Sequence, residues 1–170
     1  MSRVILLQGM CYAGKSTLGK LLASKLNLVS LDSKEMFFNM YAQTENDYLS
    51  KHGRDKFIEA EKETMRQEFE PMVISLAGSA IYYTEIMKKL QDKYTIVWLN
   101  VPFEVIEHRK NAAADTRPIV FPDGIHTFEE LYRQRAALYE ELHDIEIRVV
   151  AEDRPDDVIK KICDALSQNK

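Results

Sequence analysis

Gly9-Met10-Cys11-Tyr12-Ala13-Gly14-Lys15-Ser16-Thr17 sets two glycines, a lysine and two neighbouring hydroxyls at the spacing G-x-x-x-x-G-K-[ST]. That spacing builds a cradle for phosphate. Glycines let the backbone approach an anion closely and adopt dihedrals that a side chain would resist. The loop's N–H groups then converge on phosphate oxygens, helped by the positive end of the helix that follows. In such a loop Lys15 reaches the β- and γ-phosphates, and Ser16 ligates Mg²⁺. Gly9, Tyr12, Ala13, Gly14, Lys15, Ser16 and Thr17 are therefore the candidate ligands of a nucleoside triphosphate.

Three more charged residues stand where charge is costly. Asp32 follows a short apolar run and precedes a helical pattern, with Glu35 three residues on. It is both a candidate helix N-cap and a candidate Mg²⁺ carboxylate. Glu61 lies in the stripe Phe57, Glu61, Met65, Phe69, and Arg135 in the stripe Phe128, Leu131, Tyr132, Arg135, Leu138, Tyr139, Leu142. A charge within an apolar face is paired or faces a polar cavity. Arg135 could grip a carboxylate or phosphate through two parallel hydrogen bonds. The cysteines (Cys11, Cys163) and the four histidines show no metal-ligand spacing, so no protein metal cluster is expected.

The elements that must position these residues alternate. Val4–Leu7, Leu28–Leu31, Val73–Leu76, Tyr94–Val101 and Glu146–Val150 read as strands. Helical patterns follow the loop and cover 33–49, Arg54–Glu70, Tyr82–Gln91, Phe103–Lys110, a segment opened by the capping box Thr127-x-x-Glu130, and the stripe Val158, Ile159, Ile162, Leu166. Short, nearly continuous apolar strands between helices predict an α/β fold with a parallel sheet covered on both faces. Ligands of such sheets bind at the carboxyl ends of strands. The chain has 170 residues and a net charge of −4. It is expected to form one domain (1–170), cytoplasmic and monomeric, with no nucleic-acid or membrane partner.

Together these residues resemble the shikimate kinases, small P-loop kinases related to nucleoside monophosphate kinases. The resemblance runs over nearly the whole chain. It includes the N-terminal loop, Leu31-Asp32-Ser33, Gly53 with Phe57 and Glu61, Ser75-Leu76-Ala77-Gly78-Ser79-Ala80, Arg109, Arg117-Pro118, Arg135-Ala136, Leu138-Tyr139 and Arg154-Pro155. It implies a three-layer α/β/α fold with a five-stranded parallel sheet in order 2-3-1-4-5. It also implies an acceptor-binding region at 33–62 and a lid at 111–126. By the same resemblance ATP and Mg²⁺ are the cofactors, with Lys15, Asp32 and Arg117 catalytic and Ser16 and Asp32 on the metal. Arg109, Arg154 and Pro155 would flank the adenine. Lys34, Ile58, Glu61, Ala77, Gly78, Ser79 and Arg135 would face a small-molecule acceptor.

The departures from the family gather on the acceptor side. Lys34 stands where the family has an aspartate that holds substrate hydroxyls. Ile58 replaces an arginine that binds the substrate carboxylate, a triple glycine is reduced to Ala77-Gly78-Ser79, and Tyr12 stands where the loop prefers glycine. The expectation is an ATP-dependent phosphotransferase acting on an alcohol group, either of shikimate or, as the departures point to, of a different acceptor. Lys34 is expected to pair with Glu61. Two other readings remain open: a nucleoside or nucleotide kinase stacking a base on Phe37, Phe38 and Tyr41, and a non-catalytic ATP-binding protein.

Overall fold

A computed structural model describes residues 3–113, 119 and 121–168. Five parallel strands form one sheet in the order β2-β3-β1-β4-β5, as expected. They are β1 (Ile5–Gln8), β2 (Val29–Asp32), β3 (Met72–Ser75), β4 (Thr95–Asn100) and β5 (Ile145–Arg148). The described helices are α1 (Lys15–Leu26), α2 (Ser33–Tyr41), α3 (Glu45–His52), α4 (Arg54–Met65), α5 (Thr84–Lys93), α6 (Phe103–Ala112), α7 (Phe128–Glu141) and α8 (Pro155–Gln168). A single 3₁₀ turn spans Ala80–Tyr82.

Alternation along the central strands splits the apolar side chains between two cores. Ile5, Leu7, Val73, Val97 and Leu99 face one cluster, completed by Leu22 of α1 and Ile162 of α8. Val4, Leu6, Ile74, Ile96 and Trp98 face the other, with Met87 of α5 and Tyr139 of α7. Ile5 sits between Val73 and Thr95, so β1 is central and its carboxyl end opens between β3 and β4.

The helix expected over 33–49 is two helices. Ala42 adopts a left-handed backbone (φ 52°) and ends α2, and the Thr44 hydroxyl then accepts from Asp47 N–H to start α3. The helix expected to reach Glu70 stops at Met65, so Phe69 leaves the stripe and its N–H donates to Tyr94 Oη at 3.0 Å. Helix α5 begins at Thr84 instead of Tyr82, because Tyr82 belongs to the 3₁₀ turn. Between α2, α3 and α4 lies a separate aromatic cluster, with Phe37 centred 4.8 Å from Tyr41, 5.3 Å from Tyr48 and 5.6 Å from Phe57. Met36 and Met65 join these helices to the sheet.

Candidate functional site

The site begins where β1 ends. Gly9 (φ 148°) runs so close to β4 that a Cβ there would lie 2.9 Å from the Leu99 carbonyl oxygen. Gly14 (φ 90°) precedes α1, whose first turn receives no side-chain cap. The Lys15 ammonium donates to the carbonyls of Gly9 and Met10, both at 2.8 Å, which holds the charge across the mouth of the loop. Tyr12 takes a left-handed backbone (φ 66°), a conformation that disfavours L side chains by about 1 kcal/mol. Its ring meets Phe128 edge-on at 6.5 Å, and its carbonyl accepts from Arg109 Nη1 at 3.3 Å. Arg109 therefore lies against the phosphate loop.

Asp32 is the N-cap of α2. One oxygen accepts from Lys34 N–H at 3.1 Å, and Glu35 reaches back to Asp32 N–H at 2.9 Å, closing a capping box on α2. The other oxygen accepts from Ser16 Oγ at 2.5 Å. Two hard oxygens are thereby set side by side at the first turn of α1. That donor set suits Mg²⁺, which takes few protein ligands beside phosphate and water. Among the described residues no group of three or more His, Cys, Asp or Glu side chains could hold a metal.

At the other end of the cleft the end of β3 presents Ala77, Gly78 and Ser79. A Cβ at Gly78 would lie 2.9 Å from Arg135 Nη1 and 3.4 Å from the Cys11 amide, so this turn touches both the phosphate loop and α7. Arg135 is 4% exposed. Its Nε donates to Tyr82 Oη at 3.3 Å, its Nη1 points at Met10 Sδ, and its guanidinium lies over the Tyr82 ring. It forms no ion pair among the described residues.

Glu61 and Lys34 do not form the expected ion pair. Tyr83 Oη donates to Glu61 Oε2 at 2.5 Å, and Ser79 Oγ donates to Oε1 at a long 3.4 Å. Burial raises the Glu61 carboxyl above the ordinary carboxylate range, against the lowering pull of these hydrogen bonds and of Arg135. Lys34 is exposed, and its charge acts on Glu45. Glu45 lines the same pocket as Glu61, with Ser33, Ala77 and Tyr83. Its carboxyl is pushed up to about 7, by burial first and by Glu61 next. Sequence reasoning missed Glu45 because it placed the residue mid-helix. The signal was Thr44 followed by Asp47, which starts a helix one residue before it.

Ile58 is half-buried on α4. Arg154 and Pro155 open α8, where Arg154 Nε donates to Asp157 at 3.4 Å. Arg117 and Pro118 lie outside the described residues. Of the 111–126 segment, 111 and 112 are the last turn of α6, and its far end is fixed by the Thr127–Glu130 capping box. The rings proposed to stack a base have other places: Phe37 and Tyr41 belong to the aromatic cluster, and Phe38 faces outward.

A family model described as "Shikimate kinase" matches residues 12–167. A shikimate kinase of Corynebacterium jeikeium is 31% identical over 150 residues, 87% of this chain and 80% of that protein. The solved shikimate kinase of Aquifex aeolicus superposes with a TM-score of 0.80 at 27% identity, covering 98% and 97% of the two chains. That of Bacteroides thetaiotaomicron gives 0.78 at 27% identity, covering 97% and 98%.

Proposed function

The chain belongs to the shikimate kinase family and is a kinase with an alcohol group as acceptor; we propose that it moves the γ-phosphoryl group of ATP to the hydroxyl of a small metabolite other than shikimate. The observation that carries the nucleotide half is the Lys15 ammonium bent across the loop, beside the Ser16–Asp32 oxygen pair. In the reaction a bond forms between the acceptor oxygen and the γ-phosphorus while the β–γ bridging bond breaks. The hydroxyl proton is released and ADP leaves.

The chain's residues act by position and charge. The loop amides and Lys15 hold the phosphates in register. Ser16 and Asp32 would hold Mg²⁺, which when bound neutralises charge developing on the phosphates. Arg117 would reach the same phosphates from the 111–126 segment, which as a lid would exclude water. Arg109 steadies the loop through the Tyr12 carbonyl. Arg135, buried and in no ion pair among the described residues, would take an anionic group of the acceptor.

The altered acceptor rests on Lys34 and Ile58. The first reverses a charge and the second removes one, and Glu61 has turned to Tyr83. The test is an acceptor panel with coupled ADP detection on the purified protein. Turnover with some alcohol, abolished in Lys15→Ala, is expected. Robust ADP formation at micromolar shikimate would overturn the acceptor assignment, and an active Lys15→Ala would overturn the site.

A further inference from the structure

The 3₁₀ turn after β3 ends on two adjacent tyrosines, and each hydroxyl goes to a different charge. Tyr83 Oη donates to Glu61, and Tyr82 Oη accepts from Arg135 Nε at 3.3 Å. Arg135 and Glu61 attract each other, yet they form no ion pair among the described residues. Neutral hydroxyls hold both charges where they stand.

Tyr82 meets Arg135 in a fixed sense. Its proton is already given to Gln134 Oε1, 2.7 Å away, so the hydroxyl turns its lone pairs to the guanidinium. Gln134 precedes Arg135 on α7, and its amide oxygen can only accept. The Nε–H of Arg135 therefore points at Tyr82, whose ring centroid lies 5.3 Å from the guanidinium carbon. The far edge is bounded as well. Nη1 lies against Gly78, where a Cβ would come within 2.9 Å, and points at Met10 Sδ. Gly78 is itself held by Tyr139 Oη, which donates to its carbonyl at 3.0 Å from one turn further along α7. A guanidinium bounded by neutral groups is aimed without being cancelled. An anion that meets it finds the side chain already ordered, so binding costs less entropy.

We propose that Tyr82, fixed by Gln134, is the positioning residue for Arg135: its hydroxyl orients the guanidinium for the anionic group of the acceptor and keeps it from closing on Glu61. The role rests on the reading of Arg135 given above and names the residues that prepare it. Without the hydroxyl, a buried N–H is left unpaired and the charge is free to seek the nearby carboxylate.

Tyr82→Phe keeps the ring and its stacking and removes only the hydroxyl. Kinetics are measured with ATP and the anionic alcohol of highest kcat/KM in the acceptor panel. KM for that alcohol should rise about tenfold, with kcat and KM for ATP within about twofold of wild type. Gln134→Leu, which frees the hydroxyl proton, should raise the same KM by about threefold. An unchanged acceptor KM in Tyr82→Phe, equal losses for both substrates, or turnover confined to uncharged alcohols would overturn the role. A second measurement needs no turnover. With Mg²⁺-ADP present, ¹⁵N-arginine NMR follows the Arg135 Nε–H signal while acetate or inorganic phosphate is added. In the wild-type protein the signal should be protected from exchange with water and should shift saturably with at least one of the two anions. In Tyr82→Phe protection should fall and half-saturation should need about ten times more anion. A signal that the substitution leaves unaltered, or that neither anion moves in the wild-type protein, overturns the proposal. If no alcohol yields ADP while these shifts hold, the kinase reading fails and the positioning stands.

Discussion

Gly19 of α1 and Ser75 of β3 touch so closely that a Cβ on the glycine would lie 2.5 Å from Ser75 Oγ. That hydroxyl donates to the Lys15 carbonyl at 2.9 Å, so it cannot turn away without releasing the first turn of the helix that carries the phosphate loop. Gly19→Ala gains about 1 kcal/mol of helix propensity. It loses more through overpacking and the displaced hydrogen bond, for a net destabilisation of about 1–2 kcal/mol. Urea unfolding measures it, and adding Ser75→Ala should recover most of the loss. A Gly19→Ala protein as stable as wild type would show that the helix slides freely on the sheet.

Asp32 combines a cap and a candidate metal ligand, and two substitutions separate them. Asp32→Asn keeps a capping oxygen, whereas Asp32→Ala should lower stability by about 1 kcal/mol. Both remove the carboxylate beside Ser16, and both should lower kcat by about 100-fold or more. Full turnover in Asp32→Asn at ordinary Mg²⁺ would assign the residue to the helix alone.

The pocket acids make stability depend on pH with a definite sign. Glu45 is raised from 4.5 to about 7 by burial and then by Glu61, so the native state binds its proton more readily than the unfolded chain. Between about pH 4.5 and 7 stability therefore falls as pH rises, and it stays at its lowest above that window. Glu45→Gln removes the penalty and should stabilise the protein at pH 8 by about 2 kcal/mol, after the lost interaction with the start of α3 is deducted. At pH 4 the two proteins should match to within about half of that. Denaturant midpoints at the two pH values decide it, and a Gln variant less stable at pH 8 would reverse the assignment.

On the proposed reading of the acceptor side, returning the family's residues should raise the use of shikimate. Lys34→Asp with Ile58→Arg returns a carboxylate for hydroxyls and a guanidinium beside Glu61. The double variant should raise kcat/KM for shikimate by about tenfold or more over the parent. An unchanged value would show that Lys34 and Ile58 do not set the choice of acceptor.

The phosphate loop, Asp32 and the strands themselves were legible because each is written locally: a fixed spacing, a capping pair, short apolar runs between helical stripes. The strand order is not local and followed from the resemblance to the shikimate kinases. Buried Arg135 was legible too, as a charge inside an apolar face. What failed depended on where side chains reach. Lys34 and Glu61 are complementary in sign, but Tyr83, remote in sequence, occupies the oxygen that Lys34 was expected to take. The break at Ala42 was hidden because an alanine in a left-handed backbone carries no turn signature. Glu45 was hidden with it. Gly19 looked like an ordinary helix residue until its neighbour across the sheet was known.

The knot of Phe37, Tyr41, Tyr48 and Phe57 gives α2, α3 and α4 a nucleus distinct from the clusters on either sheet face. A segment with its own nucleus can open as one cooperative unit, here tied to the rest through Met36 and Met65 and through the hydrogen bonds of Asp32 to Ser16 and of Glu61 to Tyr83. Glu45 and Glu61 both belong to that unit. Amide exchange across the three helices should therefore speed up and slow down in unison.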